Sequence, residues 1–562
     1  MKNNTKKNNG KNNLRGPNWL KIAFLSAIVF LMCCFFVSLK KDLFIDEIFT
    51  YGLANNSFLL EVEDNRQYTG EELLIKYAGV KEGERFNINN VFKNQELDTH
   101  PPLYYLLVNF ICSLFPGKFS MWYGLIINVF FAVFLFWEMR YLLNKIINNE
   151  LASTIISLVS LANFGFINEI VFTRMYVMLS SISLAFIILI VNKIETLKTL
   201  DSEIDKKFLV RFFIICLMGI LTQYHFMIIA GIFSLIFATY CIYNKKIKLL
   251  FSTAATGVLS ILASYLIFPS MIKHIFGNSS GLHSLTASSI DTTPISRCAK
   301  FLLSLYKGFF GKAFIPYIVI LLILIILFLV FRKKNKIINS TPDDKTSVKL
   351  YFLILITAIT YFVIITLTTN YDFDRYIYNI YPLILISIIS PIFLLLRNIT
   401  RFAPAATILV TMALSISSIL SAKASFLYRN TIPALEFFHN NPDIKIVLFY
   451  SADEESKNMK TVIPTRLDSN GDVLQNNNVW KLPVSLYLFN EMENLTYVNV
   501  SNMNDLFYIT DENIMNNDDL LIVVFTFLND EIIVNQMMQI NDVSKVNRFF
   551  KTDYMHMYRL TK

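Results

Sequence analysis

Residues 20–49 read LKIAFLSAIVFLMCCFFVSLKKDLFIDEIF, and this stretch decides the class of the chain. Between 20 and 39 the only charge is Lys21, and a run of that length matches a hydrocarbon core roughly 30 Å thick. Lys40 and Lys41 follow, and then an acidic pair, Asp46 and Glu47, set among Leu43, Phe44, Ile45, Ile48 and Phe49. Carboxylates are costly at a bilayer edge unless they are used or paired. Their apolar neighbours pull these two into the interface, which makes them candidates for chemistry at the membrane face. A signal peptide would need a small-residue cleavage site. Leu39-Lys40-Lys41-Asp42 is a poor one, so a retained anchor is expected.

The rest of the chain extends the pattern. Its 562 residues are 54% hydrophobic and 17% charged, a balance that excludes an ordinary soluble protein. Apolar runs near 20–39, 121–142, 151–168, 172–192, 208–223, 224–243, 249–269, 313–331, 349–369, 376–396 and 402–420 predict an α-helical polytopic membrane protein of about eleven transmembrane helices. No internal repeat is visible, so a symmetric two-halved transporter gains no support.

Lys and Arg set the expected orientation. Lys2, Lys6, Lys7, Lys11 and Arg15 put a basic tail, 1–19, in the cytoplasm. Eleven crossings put Arg140/Lys145, Lys206/Lys207/Arg211, Lys245/Lys246/Lys248, Arg332/Lys333/Lys334/Lys336 and Arg397/Arg401 on that same side, and residues 421–562 outside. The apolar run 103–115 is too short to cross, and counting it would flip Arg140 and Lys145 outward. A surface helix near 101–116 is expected instead, begun by Pro101-Pro102. Residues 297–312, with Arg297, Lys300, Lys307 and Lys312 among aromatics, read as a second.

From residue 431 onward ten Lys and Arg stand against 18 Asp and Glu, a net of −8, so the formal charge of +9 hides +17 on residues 1–430 (41 against 24). Topology explains that basic excess, and nucleic acid is not an expected partner. All six Cys (33, 34, 112, 216, 241 and 298) lie in or beside apolar segments, so no disulfide framework holds the tail. Its apolar runs at 445–450, 485–489, 495–500 and 520–527, with a helical 531–540, predict a small extracytoplasmic α/β domain over 421–562. Asp453-Glu454-Glu455 reads as a solvated loop.

With this topology the outer loops collect polar groups. They are Asp46, Glu47, Glu61, Glu63, Asp64, Asp98 and His100, then Asn168, Glu169, Arg174 and Tyr176, then Gln223, Tyr224 and His225. His274 and His283 follow, and last Asp372, Asp374, Arg375 and Tyr376. Plainer readings exist: Arg174 and Arg375 as snorkelling anchors, His225 as a packing histidine, His274 and His283 as solvated. Asp, Glu and His also admit a divalent metal, but the usual ligand spacing is missing, so no cofactor is required.

The order of these motifs resembles the GT-C type membrane glycosyltransferases, specifically the family of protein O-mannosyltransferases and bacterial aminoarabinose transferases (glycosyltransferase family 39-like). The matching residues are Phe44-Ile45-Asp46-Glu47, His100-Pro101-Pro102-Leu103-Tyr104-Tyr105, Arg174-Met175-Tyr176, Gln223-Tyr224-His225-Phe226, and Asp374-Arg375-Tyr376 ahead of Tyr381-Pro382. The resemblance implies a cell-membrane enzyme that takes a sugar from a polyprenyl-phosphate carrier and passes it to an acceptor outside the cytoplasm, with Asp46 as catalytic base. His100 stands where the aminoarabinose branch looks to have Lys, which argues against that sugar. The acceptor stays open among protein, glycolipid and envelope polymer.

The chemistry can also be argued from the residues. A polyprenyl phosphate leaves as a stable anion, so its departure needs cations more than a proton donor. The planar forks of Arg375 and Arg174 suit phosphate oxygens, and His100 could add a hydrogen bond. Asp46 would take the acceptor hydroxyl's proton, while Glu47, Glu169, Tyr176, His225 and Tyr376 are candidates for binding sugar or acceptor. One base opposite the leaving group implies inversion, by analogy with inverting carboxylate enzymes. Two rivals stand beside this reading. A transporter or flippase of lipid-linked sugar would want charges near the bilayer midplane. A non-catalytic membrane scaffold would tolerate alanine throughout the outer loops.

Overall fold

The computed structural model describes residues 19–561 apart from 58, 64, 198–204, 277–292, 335–341, 370, 398, 423, 451–478, 500–518, 526, 527, 529, 542 and 544. The basic tail before residue 19, Asp64, His283, Lys336 and Asp453-Glu454-Glu455 lie outside the described residues.

The chain opens with α1 (Trp19–Ser38), apolar all round. Residues 39–102 are then no simple loop. They carry α2 (Ile45–Asn55), strand β1 (Gln67–Tyr68), α3 (Gly70–Ala78) and α4 (Ile88–Leu97). Beyond Pro101-Pro102 comes α5 (Leu103–Ser113), whose 11 residues are too few to cross a bilayer. The bundle continues with α6 (Trp122–Ile147), α7 (Glu150–Leu161), α8 (Phe164–Ile170), α9 (Tyr176–Thr196), α10 (Lys206–Thr222), α11 (Phe226–Tyr243), α12 (Ile247–Ile267) and α13 (Met271–Phe276). It closes with α14 (Pro294–Leu305), α15 (Phe314–Lys334), α16 (Pro342–Thr368), α17 (Tyr381–Leu396) and α18 (Ala403–Ser421).

Among the described residues nine helices are long and apolar enough to cross a membrane, or ten if the bent pair α7 and α8 is one span. The run expected to cross at 208–223 falls on α10, which at 17 residues is not among them. The molecule is a multi-pass α-helical membrane protein. The stretch read as one span at 151–168 is two helices bent by 64°. The break falls at Asn163, whose side chain caps α8 by accepting the Gly165 N–H at 3.0 Å.

The two ends of the bundle differ in chemistry. Lys21–Glu150 at 2.7 Å, Arg140–Glu150 at 2.5 Å and the Lys145–Glu195 pair gather the starts of α1 and α7 with the ends of α6 and α9. The other end, the length of the 26-residue α6 away or about 39 Å, holds α2. There the Tyr51 hydroxyl donates to the Met121 carbonyl at 2.6 Å. Every residue of α2 except Asp46 is buried. Asn94 and Asn109 side chains donate to the Leu53 and Ala54 carbonyls at 2.8 and 3.0 Å, satisfying oxygens a helix end leaves unpaired.

The C-terminal segment forms α19 (Ile432–Asn440), β2 (Lys445–Tyr450), β3 (Leu495–Asn499), β4 (Asp519–Phe525), α20 (Asp530–Ile540), β5 (Lys545–Lys551) and β6 (Met555–Thr561). The sheet order is β1-β3-β2-β4-β6-β5, with β3, β2 and β4 parallel and the outer strands antiparallel. Strand β2 is buried on both faces: Ile446 and Leu448 join the main core, while Val447 and Phe449 pack with Ile533 and Met537 of α20. The apolar 485–489 run is not a strand but a turn after a 3-10 segment, Val479–Ser485.

The edge strand β1 comes from the first loop, so the small domain is not built from the tail alone. Gly70 makes that docking possible. Its N–H donates to the Met492 carbonyl at 2.8 Å, and a Cβ there would lie 1.7 Å from the Phe489 carbonyl oxygen. The backbones can approach this closely only at glycine. Gly70→Ala should therefore cost about 1–3 kcal/mol of stability through overpacking, read as a lowered thermal midpoint of the purified chain.

Candidate active site

The site is built on the first turn of α2. Glu47 sits three residues into the helix, and its Oε2 accepts the Phe44 N–H at 2.8 Å and the Lys40 ammonium at 2.9 Å. Its Oε1 accepts the Thr173 N–H at 2.7 Å, across to the connection between α8 and α9. Lys40 also donates to the Phe426 carbonyl at 2.5 Å, and both side chains of the ion pair are wholly buried. Glu47, expected to meet sugar or acceptor, is instead an internal brace with no oxygen facing out. Nearby, burial pushes the Asp42 carboxyl up to about 7.

Asp46 faces the other way. Its carboxylate pairs with Arg375 of the 3-10 segment Asp374–Ile380, the two side chains being 20% and 15% exposed. The Arg375 guanidinium lies over the Phe373 ring at 4.3 Å. Arg174 enters from between α8 and α9 and is 5% exposed. It donates to the Tyr105 hydroxyl at 3.0 Å, the Thr50 hydroxyl at 3.1 Å and the Asp46 carbonyl at 3.4 Å.

Arg174 also meets His100 Nε2 at 2.9 Å. A guanidinium has only donors, so Nε2 accepts, and the ring proton on Nδ1 faces the Asp98 carboxylate at 2.8 Å. Burial pushes the Asp98 carboxyl up, but His100, Arg174 and the Thr99 N–H together hold it well below the usual carboxylate range. His100, expected to reach the phosphate, has both nitrogens occupied and orients Arg174.

The remaining candidates divide. Tyr176 is buried, stacked on Phe172 with centroids 5.9 Å apart. Tyr376 and His225 are half-buried and meet edge-on at 5.8 Å. Burial, with His100 nearby, pushes the His225 imidazole down to about 4, so it is neutral at pH 7. Glu169 belongs to a separate buried network: it accepts the Ser180 hydroxyl at 2.8 Å, and its neighbour Asn168 donates to Tyr378, which donates to Asp374. His274 is buried rather than solvated, against the Tyr224 hydroxyl at 3.1 Å. Tyr554, in the turn between β5 and β6, is pushed up to about 12 by burial and the Asp46 charge, which puts the C-terminal domain at the rim.

Four contributors were not foreseen. Thr50 lies four residues after Asp46, so helical spacing could have found it. Tyr105 stands inside the His-Pro-Pro motif without a reason to be singled out. Lys40 and Thr173 carry no local signal, since each acts through Glu47. Among the described residues no group of three or more His, Cys, Asp and Glu is arranged to hold a metal.

Fold and site together define a multi-pass helical membrane protein with a half-buried Asp–Arg–Arg–His cluster at one end of its bundle and a sheet domain beside it. No family model and no curated protein matches the chain. Among solved structures it is similar to ArnT from Cupriavidus metallidurans bound to undecaprenyl phosphate, with 10% identity and a TM-score of 0.48 over 96% of this chain and 97% of that one. It is also similar to the same protein in the apo state, with 10% identity and a TM-score of 0.45 over the same shares.

The raised Asp42 carboxyl has a measurable sign. The folded state holds that proton to higher pH than the unfolded chain, so stability from this group is full below about pH 4 and is lost as pH rises through about 7. Asp42→Asn should therefore melt above the wild type at pH 8, with the gap narrowing towards pH 4. A gap independent of pH would remove Asp42 as the source.

Proposed function

We propose that the chain is a glycosyltransferase that moves a sugar from a polyprenyl-phosphate donor to an acceptor hydroxyl outside the cytoplasm, with inversion. The observation that carries this reading is the meeting of Asp46, Arg174 and Arg375, far apart in the chain, at one end of an apolar bundle. Lys21, Arg140 and Lys145 share the opposite end. By the positive-inside rule that end is cytoplasmic and the site extracytoplasmic.

Arg375 and Arg174 bind the donor phosphate and hold the charge that grows on it as the bond from C1 to the phosphate oxygen breaks. The acceptor oxygen forms the new bond to C1, its proton passes to the Asp46 carboxylate, and polyprenyl phosphate leaves as the anion. His100 and Asp98 keep Arg174 aimed. Tyr376 and the neutral His225 line the sugar side, where an uncharged imidazole can hydrogen-bond a hydroxyl. A transporter would instead place ionisable groups near the midplane. Here they gather at the ends, with Glu138 of α6 an exception.

Deleting the chain should remove one sugar from the envelope glycans or glycoproteins, read by mass analysis. Wild type should restore it, and Asp46→Asn should not, its transfer rate falling by about 10²–10⁴-fold with membrane insertion intact. Normal restoration by that variant would take Asp46 out of the mechanism. Arg375→Ala should raise the KM for lipid donor more than for acceptor, and an effect confined to the acceptor would contradict its phosphate role.

A further inference from the structure

We propose that the Asp46–Arg375 ion pair is a latch: it keeps the base occupied until the anionic headgroup of the lipid donor takes Arg375 from it. The inference rests on the reading of Arg375 as a phosphate ligand and adds the order of events at that site.

The two arginines are held differently. Arg174 is 5% exposed and is fixed by Tyr105, Thr50, the Asp46 carbonyl and His100. Those partners are neutral, so a phosphate can join Arg174 without displacing an anion. Arg375 is more exposed, sits on a 3-10 segment rather than in the body of a helix, and rests on the faces of Phe373 and Tyr376. Its anionic partner is the Asp46 carboxylate. The guanidinium occupies Oδ2 of that carboxylate, and that oxygen is not free to accept a hydroxyl proton.

A donor phosphate diester carries one negative charge and presents two oxygens to a fork that suits them. When it arrives, Arg375 exchanges one anion for another and is at no point left unpaired in a half-buried site. The displaced Asp46 carboxylate cannot follow, because α2 is buried along the rest of its length and braced through Glu47. It is left facing the space where the acceptor hydroxyl must come. Donor binding thus precedes activation of the acceptor.

The latch makes an unusual prediction: removing the catalytic base tightens donor-headgroup binding. In nanodiscs, the full-length chain would be titrated with undecaprenyl phosphate and with uncharged undecaprenol. Asp46→Asn should bind the phosphate about five- to tenfold more tightly than wild type, the scale of one partly exposed ion pair removed from competition, and bind undecaprenol unchanged. Arg375→Ala should bind the phosphate more weakly, and adding Asp46→Asn to it should bring no gain.

Equal phosphate affinity in wild type and Asp46→Asn, with Arg375→Ala still weakened, would overturn the latch and leave the phosphate reading standing. A gain for undecaprenol as well, or one that survives without Arg375, would also overturn it, pointing to a loosened groove or to direct repulsion. Unchanged phosphate binding in Arg375→Ala would sink the phosphate reading and the latch with it.

Discussion

Lys40 and Glu47 form an ion pair with no access to water, and the geometry of the site depends on it. Taking two charges out of water is expensive, and such a pair persists only when further hydrogen bonds satisfy what remains. Glu47 accepts from Phe44, Lys40 and Thr173, and Lys40 donates also to Phe426. Three separate stretches of chain, at 40–47, at Thr173 and at Phe426, are therefore tied together by one buried ion pair. Neighbouring residues on a helix point about 100° apart, so burying Glu47 turns Asp46 towards the rim, where Arg375 meets it.

Around this brace the charges are arranged before any ligand arrives. Asp98 fixes the His100 tautomer, His100 fixes Arg174, and Tyr105 and Thr50 complete its hold. Donors oriented in advance in a partly dry site need little reorganisation when charge develops, which is where electrostatic stabilisation is largest. Arg375, with fewer restraints, is the member free to change partner.

The C-terminal domain belongs to the same construction. Its sheet takes β1 from the loop that carries Asp46, Gly70 lets the two backbones touch, and Tyr554 stands close enough to feel the Asp46 charge. A domain that shares a strand with the loop carrying Asp46 is coupled to the site by backbone hydrogen bonds rather than by a linker.

The sequence by itself determined the membrane class, most of the apolar helices and the candidate charged groups, because long apolar runs and costly interfacial charges leave few alternatives. Strands β2, β3 and β4 were legible for a similar reason, since central strands read as unbroken apolar runs. The edge strand β5, polar and largely exposed, its neighbour β6, where charged and polar residues interrupt the apolar ones, and the two-residue β1 were not. Only the tertiary structure decided which of two adjacent acids is buried, because the choice depends on Lys40 and on Thr173, 126 residues away. It likewise assigned His100 to Arg174, 74 residues on, since a side chain's partner across a bundle is set by helix packing and leaves no trace in local spacing.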